Sequence, residues 1–172
     1  METWDAVRAR RNVRQYADRP IPREQLERIL EAGRRAPSAS NWQPWNFVVV
    51  TGRDQLGELA KVWPQGGRHI AGSAATIAIV ARRPEDERQR DLLQYDVGQA
   101  TANMMVTATD LGIGSGHSAA ADQEQAQRVL GFPEGYFAVY LIGLGYPADR
   151  PLQPLVRPDR RPFDDVVHWD RW

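Results

Sequence analysis

Ala36-Pro37-Ser38-Ala39-Ser40-Asn41-Trp42-Gln43-Pro44-Trp45 lies between a helix signal and a strand signal. Its two prolines interrupt regular structure, and its hydroxyl and amide groups beside two tryptophans suit a flat heteroaromatic ligand with polar edges. Upstream, Ile21-Pro22-Arg23-Glu24-Gln25 reads as a helix start with proline in the first turn. Leu26, Ile29, Leu30 and Gly33 follow at i, i+3, i+4, i+7 spacing, which predicts an amphipathic helix ending near Ala36. Downstream, Phe47-Val48-Val49-Val50 is apolar and β-branched and should form a buried strand. A polar loop between two such elements is where binding residues tend to be mounted.

Further out, Arg10-Arg11-Asn12, followed by Arg14, concentrates guanidinium groups that can hold a phosphate through fork-shaped, charge-assisted hydrogen bonds. Taken alone, such a cluster also reads as a solvated basic helix end, after a short helix over 3–11 in which Trp4 and Val7 share a face. No Gly-x-Gly-x-x-Gly follows a strand, which argues against a dinucleotide-binding unit. Asp54 to Val62 reads as a short helix, and Ala75 to Val80 as a second buried strand.

The longest periodic segment is Asp91 to Leu111, about 30 Å as a helix. Its apolar residues spread so widely around the axis that burial on more than one side is expected. Gly98, Ala100 and Ala102 leave room for another backbone. Gly112-Ile113-Gly114-Ser115-Gly116 reads as a loop, either a helix cap with a flexible turn or a backbone that approaches a ligand unobstructed. A helix at about 122–130 and a strand through Tyr136–Leu144 complete the pattern.

In the tail, Pro147, Pro151, Pro154, Pro158 and Pro162 exclude a long helix and favour an extended arm over 147–172. Leu152, Leu155, Val156, Phe163, Val166, Val167, Trp169 and Trp172 make that arm too apolar for a free linker, so it must lie on some surface.

A length of 172 residues fits one domain, 1–172, and the net charge is zero with 22 basic and 22 acidic residues. No nucleic-acid partner is expected from that balance. There is no cysteine, which excludes disulfides and thiolate chemistry. No signal core or membrane-length apolar run is visible, so cytoplasmic placement is the expectation, with no membrane partner. His69, His117 and His168 lack ligand spacing, so no metal site is expected. No catalytic triad or carboxylate pair stands out, and no catalytic side chain is named.

The chain resembles the FMN-dependent nitroreductase family. Arg10-Arg11-Asn12-x-Arg14 is similar to the family's Arg-Arg-Ser-x-Arg run, and Ala36 to Trp45 to its Ala-Pro-Ser-x-x-Asn-x-Gln-Pro-Trp, in order and about 25 residues apart. Gly112 to Ser115 resembles its Leu-Gly-Leu-Gly-Ser segment, and Asp159 to Val167 its closing Arg-Lys-Pro-Leu-x-Glu-Val-Val. The resemblance implies an α+β fold with a central, mostly antiparallel sheet flanked by helices. It also implies an intertwined homodimer with an exchanged C-terminal arm and a flavin site shared between subunits.

By the same resemblance, Arg10, Arg11, Asn12 and Arg14 serve the FMN phosphate and the ribityl or ring carbonyl region, with Asn12 replacing the usual serine. Pro37, Ser38, Ala39, Asn41 and Gln43 reach the flavin of the other subunit. Gly112, Ile113, Gly114 and Ser115 lie beside it, and Arg160, in preference to Arg161, meets the phosphate. Gly116-His117 departs from the family pattern. The implied activity is NAD(P)H-driven reduction of small electrophiles such as nitroaromatics or quinones by a ping-pong hydride mechanism. The alternatives are another flavin or deazaflavin chemistry on the same fold, or a non-catalytic flavin-binding protein.

Overall fold

Leu26, Ile29 and Gly33 form the buried face of α2 (Arg23–Arg34) in a computed structural model that describes every residue from Met1 to Trp172. That face packs on α5 (Glu87–Asp110), and a Cβ on Gly33 would stand 2.8 Å from the Met104 side chain. The absence of a side chain at Gly33 is what lets the two helices approach.

Four strands, β1 (Trp45–Val50), β2 (Ala75–Arg82), β3 (Gly114–Ala119) and β4 (Tyr136–Gly145), make one sheet of order β1-β2-β4-β3. Every neighbouring pair is antiparallel. β2 is central and buried at all positions except Arg82, which explains its unbroken apolar run. Ile77 and Ile79 face the core shared with α2 and α5. Ala78 and Val80 face the opposite core, which holds Leu56, Leu59, Ile70 and Ala126 from α3 (Arg53–Ala60), α4 (Arg68–Ala71) and α6 (Gln123–Leu130). The arrangement is the α+β architecture expected, with helices on both sheet faces. Asp86 and Asp122 cap α5 and α6 by accepting from the backbone N–H groups of Gln89 and Gln125, satisfying donors a helix start leaves free.

Several expectations are corrected. The segment read as a loop is a turn only through Gly112 (φ 74°) and Ile113; from Gly114 onward it is strand β3. Its glycines hide the strand signal, and they are there for contact. A Cβ on Gly114 would stand 2.6 Å from the Val13 side chain, and one on Gly116 would lie 2.5 Å from the Val13 carbonyl. α5 begins four residues earlier than read from periodicity, at the Asp86 cap.

Within one chain α5 buries a single stripe, Leu93, Val97, Ala100 and Met104, while Leu92, Tyr95, Gly98 and Ala102 are exposed. Similarly, α1 (Thr3–Ala9) buries Ala6 and Ala9 and leaves Trp4 and Val7 in solvent. The arm is fastened at its start, where Ala148 N–H donates to Gln15 and Leu155 N–H to Arg8. From Val156 onward only Val167 is even partly covered, and Trp169 and Trp172 are 77% and 100% exposed. No helix is long and apolar enough to cross a membrane.

Candidate functional site

Between α1 and α2 the chain runs extended along the outer edge of β3. Asn12 bridges Ser115 in parallel register, and Val13 N–H donates to the Ser115 carbonyl at 2.9 Å. The Tyr16 hydroxyl donates to the Val13 carbonyl (2.8 Å) and also lies 3.0 Å from that of Gly143. Burial pushes its phenol well above the usual range. These contacts fix the segment carrying the arginine run.

Extended backbone sends successive side chains opposite ways. Arg10 and Asn12 line an opening of about 410 Å³ with Thr101 and Met105 of α5, His117 of β3 and Tyr140 of β4. Arg11 turns elsewhere, donating to the Asp149 carboxylate at 2.8 Å and to the Arg150 carbonyl at 2.7 Å. That hydrogen bond holds the Asp149 carboxyl at about 2. Arg10 and Arg14, by contrast, make no side-chain hydrogen bond or ion pair. Two hydroxyls are orphaned in the same region: Thr101 Oγ1 and Ser115 Oγ are buried without any partner. Unpaired buried polar atoms in a native fold ask for a ligand or solvent partner. Two free guanidinium groups beside them suit an anion attached to a body with polar edges.

Arg14 reaches a neighbouring basin with Trp63, Arg68 and His69. His69 is buried, its Nδ1 3.0 Å from the Gly66 carbonyl and its Nε2 3.0 Å from the Gly116 carbonyl. It ties the turn before α4 to β3.

The Pro37–Gln43 loop is held in an unusual shape. Ser40, Asn41 and Gln43 all have positive φ, at 51°, 58° and 50°, a region costly for residues with side chains. The Ser38 hydroxyl accepts from Gln43 N–H at 2.9 Å, and Gln43 Nε2 donates to Asn41 Oδ1 at 3.0 Å. The anchor is Asp96 of α5, 1% exposed, whose carboxylate accepts from Ala39 N–H at 3.1 and 3.2 Å. Sequence reading missed Asp96. Its signal was an acid on the apolar stripe Leu93, Val97, Ala100.

Within one chain, then, Arg10, Asn12 and Ser115 come together, with Arg14 two residues along. Arg11 belongs to the arm contact, Ile113 is wholly buried in the core, Gly112 is in the turn and Gly114 packs on Val13. The loop residues Ala39 and Ser40 border a separate opening of about 400 Å³ with Trp42, Arg82 and Arg83. Arg160 and Arg161 are exposed on the arm and bond only within it, to the Asp159 and Asp165 carbonyls. The loop and the arm therefore do not meet the Arg10 opening of their own chain.

The model of the nitroreductase family matches residues 7–66 and 60–146. A provisionally named NADH dehydrogenase/NAD(P)H nitroreductase of Archaeoglobus fulgidus is 32% identical over 175 residues, spanning 99% of each chain. The crystal structure of a provisionally named NADH oxidase of Clostridium acetobutylicum superposes with a TM-score of 0.84 at 22% identity, over 98% of this chain and 100% of that one. An FMN-dependent nitroreductase of Clostridium difficile R20291 gives a TM-score of 0.83 at 24% identity, over 97% of this chain and 98% of that one.

Proposed function

Because the chain belongs to the nitroreductase family, we propose that it is an FMN-dependent NAD(P)H oxidoreductase acting on small electrophiles. One observation carries the reading: two unpartnered guanidinium groups, Arg10 and Arg14, stand on one fixed segment beside the orphaned hydroxyls of Ser115 and Thr101. That donor set fits a phosphate at one end of a ligand and hydroxyl or carbonyl edges along its body, as in FMN. The chemistry FMN supplies when bound is two-electron transfer, from NAD(P)H in one half-reaction to a nitroaromatic or quinone in the next, a ping-pong cycle.

The residues' work is binding and placement. Arg10 takes the phosphate, Asn12 and Ser115 the polar chain, and Arg14 the ring carbonyl edge. Pro37, Ser38, Ala39, Asn41 and Gln43 act on the site of the other subunit of a homodimer, as does the arm with Arg160 or Arg161. In support, the loop and arm do not reach their own chain's opening, and exposed apolar groups on α1, α5 and the arm lack a cover. No side chain is assigned a proton-transfer role.

The test is cofactor content. Purified protein should release about one FMN per chain, and FMN at ~100 times its dissociation constant should add about 2.7 kcal/mol of stability. Arg160→Ala should weaken retention by about one to two decades, more than Arg161→Ala, since a charge-assisted bond contributes roughly 1.5–3 kcal/mol. A protein that FMN neither binds nor protects against heat is not this flavoenzyme, and release of a deazaflavin in its place would move the chemistry while keeping the site.

A further inference from the structure

The opening of about 400 Å³ beside the Pro37–Gln43 loop is bounded on its far side by the short corner from β2 to α5, and Trp42, Arg82, Arg83, Glu85 and Gln89 line it. Trp42 is 43% exposed, and its indole makes no hydrogen bond and stacks on no other ring. Yet the loop that carries it is held. Ser40, Asn41 and Gln43 keep positive φ, and Asp96 ties down Ala39 from α5. Backbone strain of this kind clusters at ligand clamps.

The charges opposite the indole are unmatched. Neither Arg82 nor Arg83 makes a side-chain hydrogen bond or ion pair, while nearby Arg90 pairs with Glu87 and Asp91 and Asp86 caps α5. Glu85 is the one carboxylate lining the opening, and it pairs with neither arginine. Two guanidinium groups against one carboxylate leave a net positive opening in a chain with no net charge, which gathers anions. Arg83 is also placed. Its backbone N–H donates to the Gly135 carbonyl at 2.8 Å, and its guanidinium carbon stands 5.7 Å from the centre of the Phe137 ring. Both contacts leave its side-chain N–H donors free.

We infer that this opening receives the adenosine diphosphate end of the dinucleotide reductant. The inference rests on the proposed function and deepens it: with the loop serving the flavin site of the other subunit, a ligand against Trp42 stands at the rim of that site. The indole stacks the adenine. The guanidinium forks of Arg82 and Arg83 take the diphosphate oxygens through paired, charge-assisted hydrogen bonds. Glu85 accepts from ribose hydroxyls. Side chains must do this work, because no Gly-x-Gly-x-x-Gly turn follows a strand to hold a diphosphate on backbone N–H groups. The hydride leaves the nicotinamide half, so contacts to this remote half act by binding and placement alone.

The experiment compares NADH with reduced nicotinamide mononucleotide, which keeps the reacting ring and lacks the adenosine half. Flavin reduction by each is followed on FMN-loaded wild type, on Trp42→Leu and on the double variant Arg82→Gln, Arg83→Gln, and ADP binding to the same proteins is measured by calorimetry. The wild type should favour NADH in kcat/KM by at least about tenfold and should bind ADP. Each variant should bring the ratio to within about threefold and weaken ADP binding about tenfold. Each ratio is taken on one protein, so a partial loss of fold or flavin cancels from it. A wild type that uses both reductants equally, or that does not bind ADP, overturns the proposal. So does a ratio or an ADP affinity left unchanged in either variant. ADP binding that the variants weaken, in protein that holds no flavin, would sink the flavoenzyme reading and keep the opening. Flavin-loaded, NADH-reducible protein indifferent to the adenosine half would do the reverse.

Discussion

Arg10 and Arg11 are neighbours with the same side chain and opposite fates, one facing an opening without a partner and the other clamped between Asp149 and the Arg150 carbonyl. The clamp has a pH signature. Arg11's hydrogen bond holds the Asp149 carboxyl at about 2, below its ordinary 3.8. A carboxyl depressed in the folded state adds stability above its unfolded value and loses it as pH falls through the folded one. The Arg11–Asp149 contribution should thus be intact above about pH 4 and vanish toward pH 2. Arg11→Ala should lower the denaturant midpoint at neutral pH, and the gap from wild type should close across that window. Part of the acid sensitivity should survive in the variant, because Arg34 and Arg35 hold Glu31 at about 2 in the same way. Midpoints running parallel from pH 7 to pH 2 would show that the clamp contributes nothing. Composition cannot separate the two arginines. Alternation separates them only once the segment is known to be extended, and the arm residue that claims Arg11 lies 138 positions away.

Elements with strong periodicity were legible from sequence: α2, α6, β1, β2 and β4 lie close to where the apolar spacing puts them. β3 was not, because its strand residues are glycine, serine, histidine and alanine, with little strand propensity, and its glycines accommodate the close passage of Val13 and His69. The loop's composition was legible too, but its shape was not, since the acceptor that holds Ala39 comes from 57 residues downstream. That tie can be cut. Asp96→Ala leaves the half-buried Ala39 N–H without its charged acceptor, a loss of about 1 kcal/mol and up to about 3. The positive-φ residues beyond it lose their anchor, so denaturation midpoint and FMN retention should fall together. Asp96→Asn keeps one oxygen acceptor and should recover most of both. Retention unaffected by Asp96→Ala would mean the loop holds its shape without α5.

At the scale of the molecule, too much apolar surface is left over. Trp4, Tyr95, Phe163, Val166 and Trp169 are all more than half exposed, and burying side chains of this kind contributes roughly 1.5–3 kcal/mol each. A second copy is the surface we expect to cover them. Sedimentation at micromolar concentration should give about twice the chain mass, and truncation after Gly145 should yield aggregated or unfolded protein. A well-behaved, flavin-loaded monomer from that truncation would remove both the exchanged arm and the shared site. The sheet itself has two unlike borders. On the β3 side the Asn12–Val13 backbone is already hydrogen-bonded to Ser115, whereas the outer side of β1 has no backbone partner. A ribbon with both borders open can recruit copies without end, which is how strand-stacking fibrils grow. With the β3 border capped at Ser115 by its own N-terminal segment, this sheet offers strand addition chiefly along β1, so the bridge that holds the arginine row in place also guards one border against misassembly.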